Sequence, residues 1–292
     1  MLYTLSAPYP VPVFGGLAIA LVAALLLLRL AWPFLRGAWR IYRRYPGTFA
    51  VIGALVLPVT IVVGGFHYLL EHNAAFSQLV GLDEDSDVVH AILAAALYVQ
   101  QLLLLFLVTP ATIQALAALE AGEAVGVGAA IRGAAGKIWP LMLATLRAFL
   151  IVVGLTITIV GIPWAIHRYV AWTFTPQAVV LDGERGGAAL AASRAATRGH
   201  WWRTAAITAV LAFVAAAVGP IAGLLLLIAL RAPLELANFG AAAVYAITQP
   251  LTMLAATLLY RRLEGKAWPA VAEKRRVEPA APAAPAPVPS GA

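Results

Sequence analysis

The sequence predicts an all-α, polytopic integral membrane protein with about seven transmembrane helices, and three observations lead there. Of 292 residues, 62% are hydrophobic and only 11% charged, whereas a soluble domain carries about 25% charged and about 45–50% apolar residues. Apolar runs of about 20 residues, the length a spanning helix needs, recur along the chain. Finally, sixteen of the twenty Lys and Arg residues fall in four short segments, 36–44, 132–137, 185–203 and 261–276. Cytoplasmic loops retain positive charge, so this distribution also predicts an orientation.

Residues 11–32 make the first span. No Lys or Arg precedes Arg29, so the stretch lacks the basic start of a secretory signal and reads as a retained helix with its N-terminus outside. Further spans are expected at 48–70, 88–108 (continuing toward Leu119), 138–160, 205–230 and 237–260. A weaker seventh, 162–181, contains His167, Arg168, Pro176 and Gln177. If it crosses, all sixteen clustered charges share one side; if not, eleven basic residues lie outside and seven inside. The seven-span arrangement is therefore expected, with the C-terminus in the cytoplasm and Gly161-Ile162-Pro163 as a tight outer turn. The outer loop 71–87 has no Lys or Arg.

Three domains follow: an N-terminal helix (1–33), a six-helix membrane unit (34–264) and a Pro/Ala-rich cytoplasmic tail (265–292). The tail cannot bury enough apolar surface to fold and is expected to be disordered. The six-helix unit reads as three hairpins. Each starts with a cytoplasmic amphipathic helix (34–46, 124–140, 186–203) and ends in an inward helix interrupted at Thr109-Pro110, Thr175-Pro176 or Gln249-Pro250.

Several of these residues carry a resemblance. Arg40-Ile41-Tyr42-Arg43-Arg44-Tyr45-Pro46, Pro176-Gln177-Ala178-Val179-Val180-Leu181-Asp182-Gly183, Arg198-Gly199-His200-Trp201-Trp202-Arg203, Pro250-Leu251-Thr252 and Leu258-Leu259-Tyr260 resemble the glycerophosphoryl diester phosphodiesterase membrane domain family and related uncharacterised bacterial inner-membrane proteins. The resemblance runs from about Phe34 to Glu264. It implies a six-helix unit in a bacterial plasma membrane. In some members that unit is joined to a soluble barrel that cleaves glycerophosphodiesters with a metal, two histidines and acidic ligands. The chain has no room for such a barrel of roughly 250 residues, so the resemblance does not carry that activity here.

The net charge of +7 does not read as a nucleic-acid footprint, because the basic residues flank apolar spans. With no cysteine, disulfides, thiolate metal sites and cysteine nucleophiles are excluded. His67, His72 and His90 flank Glu71 and the run Asp83-Glu84-Asp85-Ser86-Asp87. Imidazoles with carboxylates could hold a divalent metal, but the spacing matches neither a metalloprotease helix nor a complete calcium loop. The simpler reading is that Ser86 or Asp87 caps the third helix. No metal or cofactor is expected.

Arg147 and Arg168 lie inside expected spans, where a charge costs at least about 2.5–3.5 kcal/mol on insertion scales. Either they face a polar interior and bind an anionic headgroup, or they snorkel, Arg147 inward and Arg168 outward. Arg194 and Arg198, four apart, suggest a basic helix face for anionic lipid, or a solvated topological charge. Gln100, Gln101, Gln114, Gln177 and Gln249 could line a shared cavity among the proline-broken helices, or bond between helices. The expected function is thus a non-enzymatic, lipid-associated scaffold or accessory component in the bilayer. The alternative is a transporter or lipid-handling protein, which requires Arg147, Arg168 and the five glutamines to converge on one void.

Overall fold

The computed structural model describes residues 10–81, 86–123, 126–231 and 233–266. Asp83, Glu84, Asp85 and all of the expected tail beyond Lys266 lie outside the described residues. Every regular element described is helical: α1 Pro10–Arg44, α2 Pro46–Ala54, α3 Leu57–His72, α4 Ala74–Val80, α5 Asp87–Leu103, α6 Thr109–Glu120, α7 Val127–Ala135, α8 Ile138–Thr156, α9 Ile162–Ala171, α10 Thr175–Leu181, α11 Gly186–Thr197, α12 Trp201–Ala229 and α13 Leu234–Leu263. Among the described residues five stretches are long and apolar enough to cross a membrane: Val22–Arg44, Asp87–Glu120, Ile138–Thr156, Trp201–Ala229 and Leu236–Leu263. The pair α2 and α3, bent by 43°, makes a sixth if taken as one span. The chain is an all-α, multi-pass membrane protein.

Across residue 33, where a domain boundary is expected, α1 runs unbroken from Pro10 through Pro33 to Arg44. Its second half buries Ala31, Phe34, Ala38, Ile41 and Tyr42, the stripe that helical spacing of small and apolar residues produces. That stripe joins a core with Leu254, Leu258 and Tyr260 of α13 and Ile207 of α12.

Helices α12 and α13 form an antiparallel hairpin that closes on small residues. A Cβ added to Gly219 would come within 3.0 Å of the Ala241 carbonyl oxygen, and one on Gly223 within 3.2 Å of the Ala237 oxygen. Glycines four apart facing alanines four apart let two backbones approach, which is how helices associate where lipid removes the hydrophobic drive. Trp201 therefore lies at the end where α13 finishes with Arg261 and Arg262.

The three expected proline interruptions are resolved in three ways, since each proline lacks an N–H for the carbonyl four residues back. At Pro110 the preceding turn, Leu104–Val108, widens to a π-helix, and the Thr112 hydroxyl donates to the Val108 carbonyl at 2.7 Å. At Pro250 the helix continues, and the freed Ala246 carbonyl is covered by Gly53 of α2, where an added Cβ would sit 2.2 Å from that oxygen. At Pro176 the helix breaks completely between Ala171 and Thr175.

That break divides the expected seventh span in two. Residues 162–181 fold as helices of ten and seven residues, about 15 and 10 Å long, each too short to span. Moreover, His167 stacks on Trp201 with centroids 5.4 Å apart, while Asp182 accepts the Tyr260 hydroxyl. His167 and Asp182 thus both touch the Arg261 end of the bundle, although fifteen helical residues would cover about 22 Å. The segment returns the chain to the basic end without crossing beside α13 as one straight helix.

Burial is uneven along the helices. Only Val89 is buried in α5, whereas eight of the twelve residues of α6 are, from Thr109 to Leu119. On α8, Leu143, Leu146, Phe149, Leu150, Ile151 and Val153 are exposed, as expected of a surface solvated by acyl chains.

Candidate lipid-facing sites

Each sequence-predicted residue has its own surroundings. Arg147 is exposed, and its Nη1 would be 2.8 Å from a Cβ on Gly187, so the guanidinium rests against the start of α11. Arg168 is half-buried one turn before the helix break, with its guanidinium 5.6 Å from the Trp172 ring centroid. Beside it the Trp201 indole N–H donates to the His167 carbonyl at 3.2 Å. Arg168's neighbour His167 stacks on Trp201, which places this turn of α9 beside the start of α12. Arg194 is exposed on α11, but Arg198 follows the helix end with ψ at 129°. The two therefore do not share one helical face.

The glutamines do not converge either. Gln100 lines a groove between α3, α5 and α13. Gln101 and Gln249 approach the Tyr245 hydroxyl, and Gln114 packs over Gly133 of α7. Gln177, 2% exposed, donates to the Thr257 hydroxyl at 3.5 Å. Apart from Gln101 and Gln249, which meet at Tyr245, these amides serve separate helix interfaces.

The groove has a volume of about 690 Å³ and is lined by apolar side chains together with Thr60, His67, Gln100 and Asn238. Gly64 and Gly65 open it, since an added Cβ on either would meet nothing within 4 Å. It lies away from the three prolines and not among them. Near its rim His67 and His72 face Glu71 at 3.9 and 3.8 Å, and His72 stacks on Tyr68. His90 instead turns to the Ser86 carbonyl at 3.0 Å. Ser86 caps α5, its hydroxyl accepting the Val89 N–H at 3.3 Å. Among the described residues no three His, Asp or Glu side chains gather as a metal would require.

A polar clasp at the basic end was not anticipated. Glu120 ends α6 and pairs with Arg261 of α13. Asp182, after α10, accepts the Tyr260 hydroxyl and receives Lys266 at 3.3 Å. Lys266 also meets Glu264 at 2.8 Å; that contact and the Asp182 charge hold its ammonium above the ordinary lysine range, with burial opposing. Each of the three proline-interrupted stretches contributes one end to the clasp. The visible signal was that Glu120 and Asp182 close two of these helices in a chain with only 13 acids. Tyr260 is 1% exposed, and hydrogen bonds to charged groups are worth about 1.5–3 kcal/mol. Tyr260→Phe should therefore lower unfolding free energy by about 1.5–3 kcal/mol, while Lys266→Ala, an exposed pair, should change it far less. Denaturation in mild detergent measures both, and equal effects would contradict the assignment.

The clasp and the aromatic cluster around Trp201 bring the basic segments to one end of the molecule, and the groove opens elsewhere. Compared with family models, curated proteins and solved structures, the chain matches none.

Proposed function

We propose that this is a non-enzymatic, lipid-associated scaffold or accessory component of a plasma membrane, with its basic end in the cytoplasm. What supports the reading is where the buried polar groups go. Thr112, Ser193, Thr252 and Thr257 all bond to backbone carbonyls of the fold itself, and the acids of the clasp are consumed by Arg261, Tyr260 and Lys266. Exposed guanidiniums, among them Arg147 and Arg194, remain at the surface. Positive charge gathered at one end favours that end inside, and the apolar 11–32 stretch then carries the N-terminus outward. The resemblance to the phosphodiesterase membrane-domain family supports a bacterial inner membrane.

A second reading, lipid handling, draws on the groove of about 690 Å³ between α3, α5 and α13, whose lining suits an acyl chain. Reconstitution into vesicles separates the two. The scaffold reading expects no headgroup release and no faster transbilayer movement of a labelled phospholipid than in empty vesicles. Faster movement would replace it with lipid handling, and headgroup release with hydrolysis. Reporters fused after residues 85, 185 and 265 test orientation. The first should report outside and the other two cytoplasm, and an outside signal at either of the latter would overturn the proposed orientation.

A further inference from the structure

We infer that the concavity between α1 and α13 is a binding site for the phosphate-bearing headgroup of an anionic membrane lipid. The inference rests on the lipid-associated reading above and gives it a place. The concavity, about 570 Å³, is lined by Trp32, Pro33, Arg36, Arg40 and Arg262. Arg36 and Arg40 stand four apart on α1, hence on one face, and Arg262 comes from the last turn of α13.

Three features separate this cluster from charges that merely set topology. Among the described residues none of its arginines makes an ion pair, while neighbouring Arg261 is paired with Glu120. Three like charges around one concavity repel unless an anion joins them. The site is also held in shape: Phe34, fully buried, sits under the Arg262 guanidinium at 5.9 Å, and Ala31, Ala38 and Ile41 anchor the same stretch of α1 in the core. Lastly, Trp32 is 55% exposed at the mouth, the position of an interfacial anchor whose ring meets the headgroup layer. Guanidiniums present planar pairs of donors that match phosphate oxygens, which ammonium groups do not. Arg44, one turn past Arg40, turns away toward the Tyr45 ring at 5.8 Å.

The test titrates phosphatidylglycerol and, separately, phosphatidylcholine into the full-length protein in mild detergent, with bound lipid counted by native mass spectrometry. Saturable binding of phosphatidylglycerol is expected. The triple variant Arg36→Gln/Arg40→Gln/Arg262→Gln should bind it roughly 100-fold more weakly, given about one decade or less per basic residue, with phosphatidylcholine unchanged. Arg36→Lys/Arg40→Lys/Arg262→Lys should lie between, because charge remains but the paired donors are gone. Arg43→Gln/Arg44→Gln removes charge outside the concavity and should bind like the parent. The inference fails if the triple glutamine variant, shown monodisperse with parental helicity, binds unchanged, or if Arg43→Gln/Arg44→Gln loses as much. It also fails if inorganic phosphate occupies the site and phosphatidylglycerol does not saturate it. Vesicle transport and headgroup release are read separately, so the scaffold reading can fall while this site stands.

Discussion

Gly53→Ala should pry α2 away from α13 and lower the unfolding free energy by about 1–3 kcal/mol, the usual cost of overpacking. The added Cβ would lie 2.2 Å from the Ala246 oxygen, 3.0 Å from its carbonyl carbon and 3.1 Å from Pro250 Cγ. Two of these atoms are backbone, so no rotamer change relieves the clash and a helix must move. The site is also chemically specific. Pro250 deprives the Ala246 carbonyl of its helical donor, and a glycine backbone pressed against it is the closest cover available short of a hydrogen bond. Gly47→Ala in the same short helix is the matched control, because its new Cβ would meet nothing within 4 Å. By helix propensity alone that change should be neutral or stabilising by up to about 1 kcal/mol. Thermal unfolding in detergent reads both, and if the two variants behave alike the close approach of α2 to α13 is wrong.

Ser193→Ala should open the broken helix. The Ser193 hydroxyl accepts the Phe174 N–H at 3.1 Å and donates to the Ala171 carbonyl at 2.9 Å, and the residue is fully buried on α11. One hydroxyl thus replaces two ladder bonds that the turn at Trp172–Phe174 gives up. Thr175 supplies a third substitute, donating from its hydroxyl to the Trp172 carbonyl at 2.6 Å. Irregular backbone at membrane depth survives only where protein satisfies it. Removing the hydroxyl orphans two groups, each costing about 1–3 kcal/mol, so a loss of about 2–4 kcal/mol is expected. Amide exchange at 171–175 should rise with it. Thr197→Ala, which gives up only a local bond to the Arg194 carbonyl, should leave exchange at the break unchanged. A silent Ser193→Ala would mean that water or lipid already serves those groups.

The sequence made the class legible because hydropathy and charge are additive properties that need no knowledge of neighbours. The gathering of basic residues at one end holds although the weak seventh stretch is broken in two: α8 leaves that end and α9 with α10 come back to it. What hydropathy could not show is how a broken backbone is repaired. Thr-Pro and Gln-Pro announce a lost donor, but whether a π-turn, a distant serine or a distant glycine answers it depends on packing. The glutamines left two readings open for a related reason, since an amide in a span reports only that it needs a partner. Gly219 and Gly223 were readable by spacing alone, whereas Gly53 was not, because its importance arises from Pro250 on another helix. Phe34 and Arg262 were likewise too far apart in the chain to be joined by inspection.

The uneven burial along α5 and α6 has a mechanical consequence. One continuous stretch is held by protein neighbours from Thr109 onward and by fluid acyl chains before Leu104. When the bilayer thins or thickens, compliance lies with the lipid-solvated half, where tilting a helix breaks few protein contacts. The basic half, with its clasp and the buried face of α6, stays a rigid footing. Along α5 and α6 the two leaflets therefore meet unlike surfaces, one pliant and one stiff.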